Sequence, residues 1–261
     1  MNVVRVMGGL GNQLFQYAFG RVVEECSRNR TTYDLHWYET VRVPPRPYVL
    51  DKFNLQLKKA PLHHLTKVTE RVGMPLPSLQ SDGMFFNGYW QNPDLYSFKL
   101  VEEFRANFHV NPAYYTPEFL AYREKIRNST SVALHVRRGD YLIHPNHLVL
   151  PLQYYQNALM YLDAMRKDIQ VFIFSDDLDW CAEHFEDCYF VELPEDYLEF
   201  ELMRECKHFI TANSTFSWWA AYLSLNGIVI APKKWWRNSV NGHAVYERRM
   251  LREDWMHINL S

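Results

Sequence analysis

A chain of 261 residues with a net charge of −2 is long enough to bury a hydrophobic core without disulfides or metal ions. It carries 28 Lys and Arg against 30 Asp and Glu, so no overall positive field favours a nucleic acid or an anionic membrane as its partner. No run is apolar enough for a secretory signal or a membrane span. We therefore expect a cytoplasmic protein without a transmembrane segment, which leaves peripheral attachment to a membrane open.

The cysteines show neither close CxxC spacing nor a short, dense framework; they are Cys26, Cys181, Cys188 and Cys206. We expect reduced thiols, mostly buried, in place of disulfides or a zinc site. Aromatic residues make up 16% of the chain, and their flat rings suit a sugar-binding site as well as a core.

The chain begins with the pattern of a βαβ unit. Val3–Met7 is short, β-branched and followed by glycines, which predicts a buried strand and a turn. A helix is predicted from about Gln13 to Arg28, and a second strand over Thr31–Leu35.

The glycine-rich turn GGLGNQ raises the question of a ligand, because glycines let another group approach the backbone closely. Gly9 and Gly11 match the first two glycines of the dinucleotide fingerprint, but Leu14 stands where the third would be. Asn12 and Gln13 present amides at the start of the helix. Asn12 either contacts a ligand or caps the helix.

The next stretch is less regular. VPPRP (43–47) and MPLP (74–77) predict loops, and NGYWQNPDLY (87–96) predicts an aromatic turn that leads into a helix. We expect no compact alternation of strands and helices there.

From Ser131 onward, apolar β-rich runs alternate with helix-like segments. The predicted strands are 131–136, 171–174, 188–191, 208–211 and 228–231, and the predicted helices are 151–166, 176–185, 197–206 and 215–226. This alternation predicts an α/β fold with a parallel sheet that is covered on both faces. NSTSV (128–132) marks the predicted boundary between a first domain, 1–128, and a second, Rossmann-like domain, 129–261.

HVRRGD (135–140) is the most informative polar cluster, because ligands of open parallel sheets bind beyond the carboxyl ends of the strands. Strand alternation puts His135 and Arg137 on one face and Arg138 on the other. A guanidinium suits a diphosphate through its planar set of donors, and Asp140 is placed to brace one arginine. The alternative is a structural Arg–Asp pair that closes the strand end.

NSTFS (213–217) follows a predicted strand and opens a helix. Ser214 or Thr215 is either a helix N-cap or part of a phosphate site at the helix N-terminus. Its place at the same predicted sheet edge as Arg137 favours phosphate.

SDDLD (175–179) contains Asp177-x-Asp179, which is similar to the divalent-metal motif DxD. Asp179 also fits the first turn of a helix, where acids complement the helix dipole. Asp176 can accept hydrogen bonds from a purine base or a ribose. We expect no metal, because the arginines supply the counter-charge for a diphosphate.

The histidines lack the spacing of metal ligands, and HEXXH is absent; this holds for His36, His63, His64, His144 and His147. His144 and His147 follow HVRRGDY in a predicted loop. They are either candidates to remove a proton from an acceptor hydroxyl or, more simply, solvated loop side chains.

Five segments taken together resemble the α-1,2-fucosyltransferases of glycosyltransferase family 11, which include the blood-group H enzymes and bacterial homologues. In chain order they are MGGLGNQLFQYAFG, NGYWQ, HVRRGDY, FSDDLDWC and NSTFSWWAAYL, and they run from Met7 to about Pro232. The resemblance implies a GT-B architecture with two Rossmann-like lobes and a central cleft. It also implies GDP-L-fucose as the donor, no essential metal or other cofactor, and a galactose-containing oligosaccharide as the acceptor.

Similarity to the broader fucosyltransferase group implies roles for the first cluster. Arg137 is expected to bind the diphosphate, and His135 is expected to lie near the guanine. Arg138 and Asp140 support the site. Donor binding belongs to the C-terminal lobe and acceptor binding mainly to the N-terminal lobe.

The same similarity extends to the other segments. The phosphate-binding turn of the group falls on Ser214, Thr215 and Phe216. Asp176 matches a carboxylate that reads the guanine. Gly11 and Asn12 face the fucosyl diphosphate from the opposite lobe.

The expected reaction is an inverting transfer of fucose to the 2-hydroxyl of a terminal galactoside, in which Arg137 stabilises the departing phosphate. The base is one of Asp140, His144 and His147, or the reaction demands little of one. Three alternatives stay open: another GDP-sugar or linkage, a nucleotide-dependent oxidoreductase, and a glycan-binding module without catalysis. The broken glycine fingerprint disfavours the oxidoreductase.

Overall fold

The computed structural model contains two compact units, Met1–Asn111 and Pro112–Ser261. It describes residues 1–41, 46–55, 57–60, 65–71, 78–224, 227–237 and 243–260. The division between the units lies earlier in the chain than the predicted one after residue 128.

Helix α4, Pro117–Arg127, explains the earlier division, because it packs within the second unit. The hydroxyl of Tyr122 donates a hydrogen bond of 2.8 Å to the carbonyl of Phe190, and Ile126 is fully buried. The assignment of acceptor binding to the first unit and of donor binding to the second stays a prediction.

The first unit is an α/β unit around a parallel sheet. Its strands and helices are β1 Asn2–Arg5, α1 Leu10–Ser27, β2 Thr31–Asp34, α2 Trp37–Thr40, β3 Thr66–Thr69, β4 Met84–Asn87 and α3 Phe98–Asn107. Over the described residues the strand order is β2-β1-β4-β3, with every pair parallel. The predicted βαβ unit is confirmed.

The stretch after the first βαβ unit is more ordered than its loop signals predicted, because β3 and β4 extend the sheet and α3 follows them. The described residues between β3 and β4 contain no helix, which agrees with the expectation of no compact alternation. β3 reads TKVT and lies largely exposed at the sheet edge, so it carries no hydrophobic signal. The predicted helix after the aromatic turn is confirmed: α3 is capped by Ser97, whose Oγ accepts a hydrogen bond from the backbone N–H of Leu100 at 3.2 Å. Residues 43–45 and 74–77 of the predicted loops, and His63 and His64, lie outside the described residues.

The second unit is Rossmann-like, as predicted. After α4 it contains β5 Thr130–Val136, α5 Gly139–Ile143, α6 Leu152–Met165, β6 Ile169–Ser175, α7 Leu178–His184, β7 Tyr189–Val191, α8 Asp196–Glu205, β8 His208–Ile210, α9 Thr215–Leu223, β9 Val229–Pro232, α10 His243–Met250 and β10 Met256–Ile258. Its sheet, within the described ranges, is parallel throughout with the order β10-β9-β8-β5-β6-β7. Each of the five predicted strands and four predicted helices is present, with shifted ends.

Aromatic side chains dominate the core of this unit. Trp218 and Trp219 of α9 are fully buried. The hydroxyl of the buried Tyr154 donates a hydrogen bond of 2.7 Å to the carbonyl of Thr211, which ties α6 to the end of β8. All four cysteines are free thiols, as expected. Cys181 and Cys206 are buried, but Cys188 is half-buried and Cys26 is exposed, so the expectation of burial holds for two of the four. None of the described helices has the length and apolar character needed to cross a bilayer.

We expect Gly20→Ala to destabilise the first unit by about 1–3 kcal/mol, the usual range for overpacking. An added Cβ would lie 2.4 Å from Oη of Tyr33 and 2.8 Å from its ring carbons. In a helix with free space at this position, the same substitution would stabilise the folded state by ~1 kcal/mol. The sign of the change in unfolding free energy therefore shows whether the added Cβ clashes with Tyr33. Urea unfolding measures it. In a Tyr33→Leu background, where the ring is gone, the cost should shrink; an equal cost in both backgrounds would contradict the clash.

Candidate active site

The polar segments of the second unit meet at one edge of its sheet. β5 lies between β6 and β8, and all three strands run in parallel. The carboxyl ends of these strands lead directly into HVRRGD, SDD and NSTFS. Parallel pairing therefore brings together the three predicted clusters at the edge where such sheets bind ligands.

Arg137 is held between two carboxylates. Its Nη2 lies 2.6 Å from Oδ1 of Asp140, and its Nη1 lies 3.0 Å from Oδ2 of Asp176. Its side chain is 17% exposed, and these contacts engage only two of the five guanidinium N–H groups. The Arg–Asp pair that the sequence offered as the alternative to phosphate binding is thus present, and it leaves donors for a ligand.

Both carboxylate oxygens of Asp176 contact the segment that follows β5. Its Oδ1 accepts a hydrogen bond of 2.9 Å from the backbone N–H of Arg138, while its Oδ2 meets Arg137. A Cβ on Gly139 would lie 2.6 Å from Oδ2, so the missing side chain at this position makes room for the carboxylate. Asp176 therefore holds the segment after β5, and its predicted contact with guanine stays a prediction.

Arg138 faces a different partner, as strand alternation predicted. Its Nε lies 2.8 Å from Oδ2 of Asp177, and its guanidinium lies 4.2 Å from the ring centre of Trp180. Asp177 also caps α7, because its Oδ1 accepts from the backbone N–H of Trp180 at 3.3 Å. Arg138 and Asp177 thus support the site from α7.

His135 is buried beneath Arg137. Its Nδ1 lies 2.8 Å from Oγ of Ser217, and its ring centre lies 5.7 Å from that of Phe216. Burial, with a smaller contribution from the charge of Arg137, lowers the pKa of His135 to about 3. The imidazole is therefore neutral at neutral pH and does not add positive charge to the site.

The turn after β8 carries the helix N-cap, one of the two roles that the sequence left open at NSTFS. Ser214 is the N-cap of α9, and its Oγ accepts from the backbone N–H of Phe216 at 3.3 Å. Thr215 and Phe216 are partly exposed in the first turn of α9, where the helix dipole favours an anion. The N-cap role is confirmed for Ser214, and phosphate binding by the turn stays a prediction.

The segment after β5 also contains the candidate bases. Asp140 is 45% exposed and contacts Arg137. His144 ends α5 and is exposed. His147 lies in the following turn, with its ring 4.2 Å from that of Tyr141.

In the first unit, the side-chain amide of Gln13 holds the turn GGLGNQ (8–13) in place through hydrogen bonds to the backbone. Gly8 adopts a φ of +78°, which favours glycine, and its carbonyl accepts hydrogen bonds from Oη of Tyr38 at 2.9 Å and Nε2 of Gln13 at 3.0 Å. The Oε1 of Gln13 accepts from the backbone N–H of Val49 at 3.1 Å. Gln13 is fully buried, so it stabilises the turn and is not presented to a ligand.

Asn12 lies inside the first turn of α1, which begins at Leu10 and has Gly9 as its N-cap. The alternative in which Asn12 caps the helix is therefore wrong. Its Oδ1 accepts a hydrogen bond of 2.8 Å from Nε2 of Gln91. Gly11 is buried in the same turn of helix. Their predicted contact with a donor sugar stays a prediction.

Sequence reasoning missed the side chains that orient the predicted ones. They are Gln91 beside Asn12, Ser217 beside His135, Trp180 beside Arg138, and Tyr141 beside Arg137. All four stand inside the segments that carry the family resemblance, which is the one signal that could have found them. No three His, Cys, Asp or Glu side chains within the described ranges converge as metal ligands.

We expect the buried His135 to make the protein less stable in acid. The unfolded chain takes up a proton near the ordinary pKa of 6.5, whereas the folded chain does so only near 3, so stability falls as the pH drops through this window. From pH 7 to pH 5 this one group removes about 2 kcal/mol of unfolding free energy.

Urea unfolding of the wild type and of His135→Gln, at pH 7 and at pH 5, isolates this contribution. The pKa of His208 is also lowered, by burial and by Arg166 and Lys207, but it contributes equally to both proteins. The stability difference between the two proteins should therefore narrow at pH 5. An unchanged difference would mean that His135 is not neutral in the folded state.

Comparison with known proteins identifies the family. The sequence profile described as glycosyl transferase family 11 matches residues 76–259. The α-1,2-colitosyltransferase of Escherichia coli is 30% identical over 270 residues, which covers 89% of this chain and 91% of that protein. Galactoside α-(1,2)-fucosyltransferase 1 of Mus musculus is 36% identical over 110 residues, 38% of this chain and 29% of that protein.

Solved structures agree at the level of the fold. Fucosyltransferase NodZ from Bradyrhizobium superposes with a TM-score of 0.56 at 15% identity, covering 87% of this chain and 94% of that one. A structure of NodZ α-1,6-fucosyltransferase soaked with GDP-fucose gives a TM-score of 0.54 at 15% identity, over 88% and 94% of the chains. The α/β, GT-B fold class with two Rossmann-like lobes is thereby confirmed, and a central cleft between the lobes stays a prediction.

The family resemblance carried by the five segments is confirmed as well, because the profile spans four of them completely and the colitosyltransferase aligns over most of the chain. This chain is a glycosyltransferase that belongs to glycosyl transferase family 11.

Proposed function

We propose that this protein transfers L-fucose from GDP-β-L-fucose to the 2-hydroxyl of a terminal galactoside, with inversion at the anomeric carbon. The observation that carries the proposal is Arg137, a partly exposed guanidinium held at the carboxyl edge of the sheet, where the neighbouring strand β8 leads into the N-terminus of α9. Its family contains an α-1,2-fucosyltransferase, and a relative with the same fold was soaked with GDP-fucose.

In this proposal Arg137 stabilises the charge that develops on the departing diphosphate. Its position is fixed before the donor arrives, because Asp140 and Asp176 already hold two of its N–H groups. The partial positive charge at the N-terminus of α9 acts on the same anion. His135, neutral and held by Ser217, offers a flat ring and a hydrogen-bonding nitrogen to the base.

Charge at this edge limits how the donor binds. The two guanidinium groups of the cluster meet three carboxylates, those of Asp140, Asp176 and Asp177. A diphosphate that binds Arg137 therefore shares it with Asp140 or displaces Asp140, the most exposed of the three at 45%. We propose that the reaction needs no metal, because Arg137 and α9 together supply the stabilising positive charge.

The acceptor hydroxyl loses a proton when it attacks the sugar. Asp140 and His144, one turn of helix apart and both exposed, are our candidates for the base in this proposal. Asn12, whose amide is oriented by Gln91, is proposed to contact the donor sugar from the first unit.

A second candidate is transfer of colitose, the 3-deoxy analogue of fucose, from its GDP derivative. The alignment with the α-1,2-colitosyltransferase over 89% of this chain favours it. Both reactions use the same diphosphate and the same 2-hydroxyl acceptor chemistry, so they differ only in what the protein does with one sugar hydroxyl. A site that hydrogen-bonds this hydroxyl rejects the deoxy donor strongly, whereas an apolar site does not.

Turnover of a donor panel decides between the two candidates. We expect GDP-fucose with lactose to give an α-1,2-linked product, identified by the anomeric coupling constant and the linkage shifts in NMR, with full activity in EDTA. GDP-mannose and UDP-galactose serve as negative controls. Faster turnover with GDP-colitose would select the second candidate. Activity that disappears in EDTA and returns with a divalent ion would contradict the metal-free reaction.

We expect Arg137→Ala to lower kcat by about 10²-fold or more at saturating GDP-fucose, the usual loss when a preorganised donor is removed. Arg166→Ala is the matched control, because Arg166 is an exposed arginine that precedes the amino-terminal end of β6. Steady-state kinetics of both variants provide the measurement. Near-normal turnover of Arg137→Ala would refute the assigned role.

A further inference from the structure

Three aromatic rings beside Arg137 form a continuous stack. The rings of Tyr141 and His147 lie 4.2 Å apart at an angle of 6°, and those of His147 and Trp236 lie 5.1 Å apart at 25°. We call these three residues the 141–147–236 stack. His147 is the member that contacts both other rings, and its ring also lies 4.3 Å from that of His144 at an angle of 49°.

One end of the stack lies against Arg137. The guanidinium carbon of Arg137 is 5.5 Å from the ring centre of Tyr141. The hydroxyl of Tyr141 donates a hydrogen bond of 3.0 Å to the carbonyl of Asn213, which directly precedes the turn at Ser214. Tyr141 therefore contacts both parts of the proposed diphosphate site.

The other end of the stack is anchored to the segment after β9. Trp236 donates its backbone N–H to Oε1 of Glu247 at 3.1 Å. Antiparallel backbone pairing joins His147 to Trp236, and the backbone N–H of Arg237 donates to the carbonyl of Asn146 at 3.1 Å. The stack thus connects the segment after β9 with the segment that carries Arg137.

The turn after β8 is hydrogen-bonded to the same segment after β9 that carries Trp236. Nδ2 of Asn213 donates to the carbonyl of Trp235 at 2.7 Å and to that of Leu148 at 2.9 Å. The segments that follow β5, β8 and β9 are therefore hydrogen-bonded to one another, and the ring of His147 lies in contact with both Tyr141 and Trp236.

We propose that His147 is a positioning residue: it holds Tyr141 against Arg137 and so sets the geometry in which the diphosphate is bound. Its ring stacks on those of Tyr141 and Trp236, a role that requires a flat ring. The inference rests on the proposed function, since that function supplies the ligand. It removes His147 from the candidate bases and adds Tyr141 and Trp236 to the residues that determine donor affinity.

Two substitutions at His147 test this role in the full-length protein. His147→Ala removes the middle ring, and we expect the Kd for GDP and the KM for the donor to rise about tenfold with a smaller change in kcat. His147→Phe keeps a flat ring, and we expect both values to return to within about twofold of wild type with an unchanged pH profile of kcat. Calorimetric titration with GDP and steady-state kinetics give these quantities.

Tyr189→Ala is the matched control. Tyr189 is an exposed ring that stacks on Phe172 at 4.9 Å, but it stands at the start of β7, two strands away from β5 and level with Ala133 in the middle of that strand. We expect it to leave GDP binding unchanged. Equal losses in Tyr189→Ala and His147→Ala would show a general effect of ring removal and would overturn the proposal.

Other outcomes are equally decisive. If His147→Phe is as impaired as His147→Ala and loses one limb of the pH profile, His147 acts through its nitrogen and the positioning role is refuted. If the wild type binds no GDP, the proposed function fails by itself. The positioning role is then decided by hydrogen exchange of the backbone at residues 137–143: faster exchange in His147→Ala but not in His147→Phe supports it, and equal exchange overturns it.

Discussion

Parallel hydrogen bonding of β5 to both β6 and β8 brings the polar residues of the candidate site together. In the β5–β6 ladder Val136 pairs with Ser175, so the next residue on each strand, Arg137 and Asp176, must emerge side by side. A slip of one residue would turn every side chain of β5 to the other face of the sheet. The register fixed by the buried core therefore also fixes the ion pair at the sheet edge.

Around this edge three polar side chains of the segment HVRRGD are each held by a neighbour from a different element. Arg137 meets Asp176 after β6, Arg138 meets Asp177 at the start of α7, and His135 meets Ser217 on α9. A group held in this way costs little further ordering when a ligand arrives. Stabilisation of a departing diphosphate depends on such preorganisation, because the donors must already point where charge develops.

In the first unit, neutral side-chain amides instead of ion pairs hold the backbone in place. Gln13 and Gln16 are buried and bind backbone groups of Gly8, Val49 and Gly88, which holds the turn between β1 and α1 in place. In GGLGNQ, neighbouring amides thus have different tasks. Gln13 is structural, whereas Asn12 is oriented by Gln91 on the segment after β4.

Alternation of apolar strands with helices determined the class of fold and every strand of the second unit except β10, because burial on both faces of a parallel sheet leaves long apolar runs in the sequence. The order of motifs determined the family. The sequence did not determine β3, whose exposed polar side chains carry no such signal, nor the assignment of α4 to the second unit, which depends on packing against α8. Only the tertiary structure decided which residues orient Arg137, His135 and Asn12. A partner such as Ser217, which stands 82 residues after His135, comes within hydrogen-bonding distance only when the strands pair and the helices pack on them.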